Sequence, residues 1–273
     1  MNVFNPQPEV TPSVLATDLD GTLIPLPDSE THHIDLKYIA ECFADSKVQL
    51  VYATGRHYES VVEAMRTYNL PTPEWIICDV GSSIYQRTDN TFRVFETYES
   101  HLLKNSDGLD RQIIEEALGA IEGLIPQASE HQRRFKISYQ SSAQALEALV
   151  EQVTQKLLAA QLPYDCMGSL DPFLNCGLID VMPTGVSKAY ALLWLSTHAD
   201  FTPDQVVYAG DSGNDYAALI SGFRAIIVAN GSQGLVKKVS THLSQRNLSD
   251  RLYVAHASAT SGVLEGCRHY GLL

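Results

Sequence analysis

Asp18-Leu19-Asp20-Gly21-Thr22 stands at the end of the apolar run Val14-Leu15-Ala16. A short apolar run closed by a turn signal predicts a strand buried on both faces, the kind found in parallel sheets. Its carboxyl end delivers Asp18, and Gly21 lets the backbone turn tightly around whatever Asp18 holds. Asp18 and Asp20 flank one hydrophobic residue, so in extended geometry their side chains point in opposite directions. Both serve one site only if the chain bends at Gly21-Thr22, and that division predicts different jobs. Asp18 is the expected nucleophile and metal ligand. Asp20 offers its backbone carbonyl to the cation and its carboxyl to the leaving oxygen. An isolated Asp-Gly would have the simpler reading of a helix cap or turn.

A second acidic junction answers the first. The strand-like run Val206-Val207-Tyr208-Ala209 leads into Gly210-Asp211-Ser212-Gly213-Asn214-Asp215. Asp211, directly at the strand end, is the expected metal ligand. Asp215, at the start of the next helix, caps that helix or orients a water or Lys188. Two carboxylate clusters after two strands can hold a hard divalent cation and present a phosphate beside it, and such oxygen ligands suit Mg²⁺ better than zinc. Between the clusters lies Tyr52-Ala53-Thr54-Gly55-Arg56. Thr54 ends a strand and Gly55 opens a turn, so the hydroxyl and nearby N–H groups can hold phosphate oxygens. Gly185-Val186-Ser187-Lys188 opens a helix before the Asp211 strand. Lys188 is either a solvated helix residue or the cation that neutralises phosphate and nucleophile.

Composition bounds the partners. The chain has 273 residues, 45% of them hydrophobic, enough for one large domain with a smaller one inserted. A formal net charge of -13 argues against a nucleic-acid or anionic-membrane partner, yet a bound cation and a few basic residues can still admit a small anionic substrate. Cys42, Cys78, Cys166, Cys176 and Cys267 are dispersed without zinc spacing and suit reduced thiols in a cytoplasmic protein. No signal segment or membrane-spanning run is expected, and residues 1–12, with three prolines, are expected to be a frayed leader.

The order of elements predicts an α/β fold. Strands at 14–17, 48–52 and 75–78 alternate with helices at 34–43 and 58–68, which gives a Rossmann-like, mostly parallel sheet. After Gly81 the rhythm changes. A hairpin over 84–98, helices over 109–121 and 143–159, and strands over 135–139 and 174–181 predict an inserted α+β cap. The parallel pattern resumes with a helix from Ser187, strands at 206–209 and 225–228, and a closing helix over 262–270. The expected domains are therefore a core of 1–82 and 185–273 and a cap of 83–184.

These four stretches, in this order, resemble the haloacid dehalogenase-like superfamily of phosphohydrolases. Its D-x-D-x-T motif is matched by Asp18 to Thr22, its second by Thr54, its third by Lys188 and its fourth by Gly210 to Asp215. The insertion between the third strand and Lys188 looks like the superfamily's C2 cap class. A closer resemblance is to the sucrose-phosphate phosphatase family. It is carried by Ile77-Cys78-Asp79-Val80-Gly81, by Gln127, Gln132, Arg133, Arg134, Phe135, Lys136, Ser138 and Tyr139, and by Asp180-Val181-Met182-Pro183. The stretch Met167 to Pro172 has no counterpart in that pattern.

The resemblance implies a Mg²⁺-dependent phosphatase working through an aspartyl-phosphate, with sucrose 6-phosphate as first substrate. Catalysis would rest on Asp18, Asp20, Thr54 and Lys188, and the metal on Asp18, Asp20 and Asp211 with Asp215 in support. Substrate contacts would come from Thr54, Gly55, Arg56, Lys188 and Asn214, joined in the cap by Gln132, Arg134 and Lys136, although the cap residues also read as an ordinary half-exposed strand and turn. Glucosyl- or mannosyl-3-phosphoglycerate and trehalose 6-phosphate are alternative substrates. A phosphomutase and a non-catalytic module are the rival classes. A monomer is expected, with a dimer as the alternative, and docking on a sucrose-phosphate synthase is compatible with either.

Overall fold

The computed structural model describes residues 10–44, 46–108, 110–171 and 175–273. The expectations for residues 1–9, Leu109, Pro172 and Leu174 lie outside the described residues. In chain order the elements are β1 (Val14–Thr17), α1 (Glu30–Ala44), β2 (Gln49–Ala53), α2 (Tyr58–Tyr68), β3 (Trp75–Cys78), β4 (Ser83–Thr88), β5 (Thr91–Val94) and α3 (Glu96–Asn105). There follow α4 (Arg111–Leu118), β6 (Ile125–Pro126), β7 (Ile137–Ser142), α5 (Leu146–Ala159), β8 (Tyr164–Asp171), β9 (Cys176–Pro183) and α6 (Lys188–His198). The chain ends with β10 (Val206–Gly210), α7 (Tyr216–Leu219), β11 (Arg224–Ile227), α8 (Gln233–Gln245), β12 (Leu252–Val254) and α9 (Ala259–His269).

Two compact units result. One runs through Gly81, takes in Tyr85–Arg93 and resumes over Lys188–Leu273; the other comprises Ser82–Ile84 and Val94–Ser187. The first is built on an eight-stranded sheet of order β12-β11-β10-β1-β2-β3-β4-β5. Its central strands pair in parallel, with Thr17 opposite Ala209 on β10 and Tyr52 on β2. Each residue of β1 is fully buried, as expected for a strand covered on both faces. Leu15, Leu19, Leu23, Ile39, Tyr52, Ile76, Val207, Ile226 and Val263 form one continuous core cluster. Because β10, β1 and β2 are parallel neighbours, their carboxyl ends lie side by side, and the loops that begin at Asp18, Thr54 and Asp211 leave from one edge.

The second unit is the expected α+β insertion. Its antiparallel sheet has the order β6-β7-β9-β8. Ile114, Leu118, Leu149, Val153, Ile179 and Val181 make a separate core. An α/β sheet with a mixed insertion is thus the observed architecture.

Several details differ from the sequence expectation. The hairpin does not join the insertion: β4 and β5 extend the edge of the large sheet, so the boundary at residue 83 shifts around Tyr85–Arg93. Residues 96–98 are helical, because Tyr98 and Leu102 fall on one buried face at i, i+4 and Glu96 and Glu99 suit a helix start. The unmatched stretch from Met167 to Asp171 is part of β8, fully paired with β9 from Tyr164 opposite Pro183 to Asp171 opposite Cys176. Helix α8 and strand β12 were not expected at all.

Candidate active site

The segment after β1 makes the predicted bend. Asp18 closes the strand in extended conformation (φ -66°, ψ 164°), and its Oδ1 accepts the Leu19 N–H at 2.8 Å. The chain then coils through Leu19–Leu23, with Ile24 N–H donating to the Leu19 carbonyl at 2.9 Å. Gly21 sits at φ +72°, and a Cβ there would lie 2.5 Å from Asp211 Oδ2. Glycine is therefore required both by the backbone angle and by the close approach of a carboxylate.

Asp18, Asp211 and Asp215 each offer an oxygen within 4.8 Å of the others. Lys188 joins two of them: its Nζ lies 2.9 Å from Asp18 Oδ1 and 2.8 Å from Asp215 Oδ1, and its side chain is fully buried. The solvated-helix reading of Lys188 is thereby excluded. Burial opposes its charge, but Asp18 and Asp215 overcome that and raise its pKa.

Asp215 collects the most donors. Tyr208 O–H, Ser212 O–H, and the backbone N–H groups of Asp211 and Ser212 all donate to it, besides Lys188. Burial alone would raise its pKa; Lys188 and these donors hold it below the usual carboxylate range. Gly210 has no Cβ for a related reason, since one would lie 2.6 Å from Asp215 Cγ.

Asp18 has fewer partners. Burial pushes it up to about 8 against the pull of Lys188, with Asp215 adding to the rise. Asp211 is pushed up to about 6 by burial and by Asp215, although Thr22 O–H donates to its Oδ1 at 3.1 Å. Three clustered carboxylates thus have one ammonium, paired with two of them, and burial with the Asp215 charge holds Asp18 and Asp211 above their normal range. That excess fits a divalent cation, and an all-oxygen donor set fits Mg²⁺.

The carboxyl of Asp20 lies elsewhere. Its two oxygens accept from Arg56 Nε and Nη2, both at 2.7 Å, while Arg56 Nη1 donates to Ser60 Oγ at 2.9 Å. Arg56 is therefore fixed as a fork on Asp20. Thr54 is fully buried, and its Oγ1 accepts the Arg56 N–H at 3.1 Å. The Asp79 and Val80 N–H groups donate to the carbonyls of Arg56 and Thr54, which ties this loop to the end of β3. Asn214 Oδ1 and Asp215 Oδ2 each lie 3.0 Å from Ser212 Oγ, so the single hydroxyl proton is shared between them.

The expected cap residues all belong to the inserted unit. Gln132 uses every polar position within it: Nε2 donates to the Gln127 and Ser138 carbonyls, and Oε1 accepts from Arg111 and from Ser138 N–H. It frames the unit and has no bonding capacity left for a sugar. Lys136 is buried, with Nζ 3.4 Å from Asp180 Oδ1, which also accepts from Ser138 Oγ at 2.6 Å. Arg134 packs over the Phe135 ring and pairs with Glu99 at 3.3 Å.

Four contributors had no assigned role in the sequence. Thr22 belongs to the opening motif but shows its use only through Asp211. Ser212 lies inside the Asp211 loop. Tyr208 is hidden in an apolar strand, and Asn230 lies in a distant turn, its Nδ2 donating to Asp211 Oδ2 at 3.2 Å.

Comparison with known proteins agrees with this geometry. The profile of the family described as sucrose-6F-phosphate phosphohydrolase matches residues 11–271. A protein of Nitrosococcus oceani assigned to the HAD-like hydrolases is 31% identical over 268 residues, covering 94% of this chain and 71% of that protein. The mannosylfructose-phosphate phosphatase of Agrobacterium fabrum is 28% identical over 260 residues, covering 95% and 97%. Among solved structures, the sucrose-phosphatase of Synechocystis in complex with sucrose and phosphate superimposes with a TM-score of 0.77 at 26% identity, covering 96% of this chain and 99% of that one. Among the described residues no helix is long and apolar enough to cross a membrane. With a family match over residues 11–271 and a buried lysine set among three clustered aspartates, the chain belongs to the sucrose-6F-phosphate phosphohydrolase family of HAD-like hydrolases and is a Mg²⁺-dependent sugar-phosphate phosphatase.

Proposed function

We propose that the substrate is a phosphorylated disaccharide, sucrose 6-phosphate before others, and that its phosphate passes through Asp18. The observation that carries the chemistry is Asp18 itself, a buried carboxylate at the end of a central strand, 2.9 Å from a buried ammonium. Support for the sugar comes from the family and from the Synechocystis enzyme, whose structure holds sucrose and phosphate.

Asp18 attacks phosphorus in line, forming a carboxyl O–P bond as the bond to the sugar oxygen breaks. Lys188 draws charge from the equatorial oxygens, and Asp215 keeps Lys188 charged and in place. Thr54, the backbone at Gly55 and the Asn214 amide receive phosphate oxygens. Asp20 gives a proton to the departing sugar oxygen, then takes one from the water that cleaves the aspartyl-phosphate and releases inorganic phosphate. Each Asp20 oxygen accepts one hydrogen bond from Arg56 and keeps a further lone pair for the proton, so Arg56 orients the carboxyl during the transfer. Asp18, Asp211 and the Asp20 carbonyl would hold Mg²⁺, which supplies the positive charge an anionic phosphate needs to enter an acidic site.

We assign selection of the sugar to the inserted unit, through Lys136, backed by Asp180, and Arg134. A second substrate, mannosylfructose phosphate, is favoured by the Agrobacterium fabrum relative, which is matched nearly end to end. On this proposal the protein is a cytoplasmic monomer, a placement supported by five free cysteines. The class of enzyme that must supply its substrate is a sugar-phosphate synthase, which keeps docking on such a synthase within the proposal.

The test is phosphate release with Mg²⁺ from sucrose 6-phosphate, mannosylfructose phosphate, trehalose 6-phosphate, a glycosyl-phosphoglycerate, glucose 6-phosphate and fructose 6-phosphate. Sucrose 6-phosphate is expected to exceed both monosaccharide phosphates in kcat/KM by about tenfold or more. A higher value for another disaccharide phosphate would move the assignment to it, and preference for the monosaccharides would overturn the disaccharide proposal.

A further inference from the structure

Asn230 lies in the turn that follows β11, and its side chain joins three separate segments. Nδ2 donates to the Gly21 carbonyl at 2.7 Å and to Asp211 Oδ2 at 3.2 Å. Oδ1 accepts the Ala259 N–H at 2.8 Å, at the first residue of α9. One amide therefore grips the loop after β1, the loop after β10 and the start of the last helix.

We infer that Asn230 is a positioning residue for the divalent cation, acting through Asp211 and the Gly21 backbone. Asp211 is held at both oxygens by neutral donors, Thr22 O–H on Oδ1 and the Asn230 amide on Oδ2. Neutral donors orient a carboxylate without spending its charge, so the charge stays available to a metal. Gly21 is held at its carbonyl while its φ is +72°, which restrains the neighbouring Asp20–Gly21 peptide. The Asp20 carbonyl in that peptide is the proposed backbone ligand. A helix strut alone would need only the bond from Oδ1 to Ala259; both bonds made by Nδ2 go to the metal-site loops. An aspartate at 230 would set a carboxylate against the Asp211 carboxylate and the Gly21 carbonyl oxygen, which explains why the neutral amide is the suitable group.

The inference rests on the Mg²⁺ assignment above, and calorimetry separates the two. Metal-free parent and Asn230→Ala proteins are titrated with Mg²⁺ in the absence of substrate. The parent is expected to bind, and Asn230→Ala to bind with a dissociation constant raised about tenfold or more. KM for a sugar phosphate at saturating Mg²⁺ should stay within about twofold of the parent, because the phosphate and sugar contacts are elsewhere. Should Asn230→Ala not fold, Asn230→Ser is measured in the same way and is expected to show the same direction. A folded variant that loses thermal stability yet binds Mg²⁺ as the parent does would overturn the inference and make Asn230 a strut. A parent that binds no Mg²⁺ would overturn the metal assignment first, and this inference with it.

Discussion

Lys188 Nζ lies 2.9 Å from Asp18 Oδ1, with the lysine fully buried and Asp18 only 4% exposed. The same ammonium reaches Asp215 Oδ1 at 2.8 Å, so it is the counter-charge for two buried carboxylates. Lys188→Met would leave both acids facing each other in a desolvated site. Chemical denaturation in EDTA should show a loss of about 3–5 kcal/mol, the usual cost of stranding a buried charge. Turnover should fall about a hundredfold or more. A variant with parental stability would mean that Lys188 is not the cation on which these acids depend.

The raised pKa values of Asp18 and Asp211 give a pH prediction. A carboxyl raised in the folded state favours its protonated form, so its contribution to stability is full below its ordinary value and is lost as pH rises. For Asp211 the loss extends through about 6, and for Asp18 through about 8. Metal-free protein should therefore lose stability from these groups between about pH 4 and pH 8, while Mg²⁺ binding requires the same groups ionised. The difference in Tm between Mg²⁺-loaded and EDTA-treated protein should widen on going from about pH 5 to pH 8. A difference that shrinks over that interval would contradict the assignment of these acids to the metal.

The parallel core was legible because β1, β3 and β10 are short runs apolar on both faces, each ending in a Gly, Asp or Ser turn. Asp18, Thr54 and Asp211 stood out for the same reason: each directly follows such a run. Helix α8 carried a signal that was missed, Leu235, Val239 and Leu243 at i, i+4 and i+8 behind the Ser232 cap, whereas β12 is only three residues long. Asn230 precedes Gly231 and reads locally as any turn, and Tyr208 reads as core. The fork between Arg56 and Asp20 joins residues 36 positions apart, a contact set by β1–β2 pairing and marked by nothing in the local pattern. Gln132 was legible as a polar residue in the inserted unit, but only the fold shows that its bonds are spent inside that unit.

Gly21→Ala should be among the most damaging small substitutions. It asks for φ +72° from a residue with a Cβ and puts that Cβ 2.5 Å from Asp211 Oδ2. A stability loss of about 1–3 kcal/mol is expected from strain and overpacking. The Mg²⁺ concentration for half-maximal turnover should rise as well, because Asp211 must move. Unchanged stability together with unchanged metal dependence would show that the Gly21 loop is not built as described.

Glu265 anchors the last helix to the His256–Ala257 segment. Burial works against its charge, but Tyr253 O–H, His256 and the Ala257 N–H hold its carboxyl down at about 2. A depressed carboxyl contributes stability above its ordinary value of about 4.5 and loses it as pH falls toward about 2. Its side chain keeps 27% of its exposure, so Glu265→Gln should cost only about 1–2 kcal/mol at neutral pH. The gap between variant and parent in urea unfolding should close as the pH is lowered through that window. A gap independent of pH would assign the loss to packing instead of charge.

Lys136→Ala should distinguish sugar recognition from phosphoryl transfer. If Lys136 recognises the sugar, kcat/KM should fall about tenfold for the disaccharide phosphate and much less for a small generic phosphate ester. Equal losses on both would place Lys136 in the framework of the inserted unit, where it already pairs with Asp180.

The most direct measurement is chemical trapping at Asp18. Enzyme mixed with Mg²⁺ and substrate is quenched in acid during turnover, treated with hydroxylamine, digested and analysed by mass spectrometry. An aspartyl-phosphate at this position predicts a hydroxamate on the peptide containing Asp18, lost in Asp18→Asn, which should be folded but without measurable turnover. A hydroxamate on a different residue, or an Asp18→Asn protein that retains substantial turnover, would contradict the assignment of Asp18 as the nucleophile.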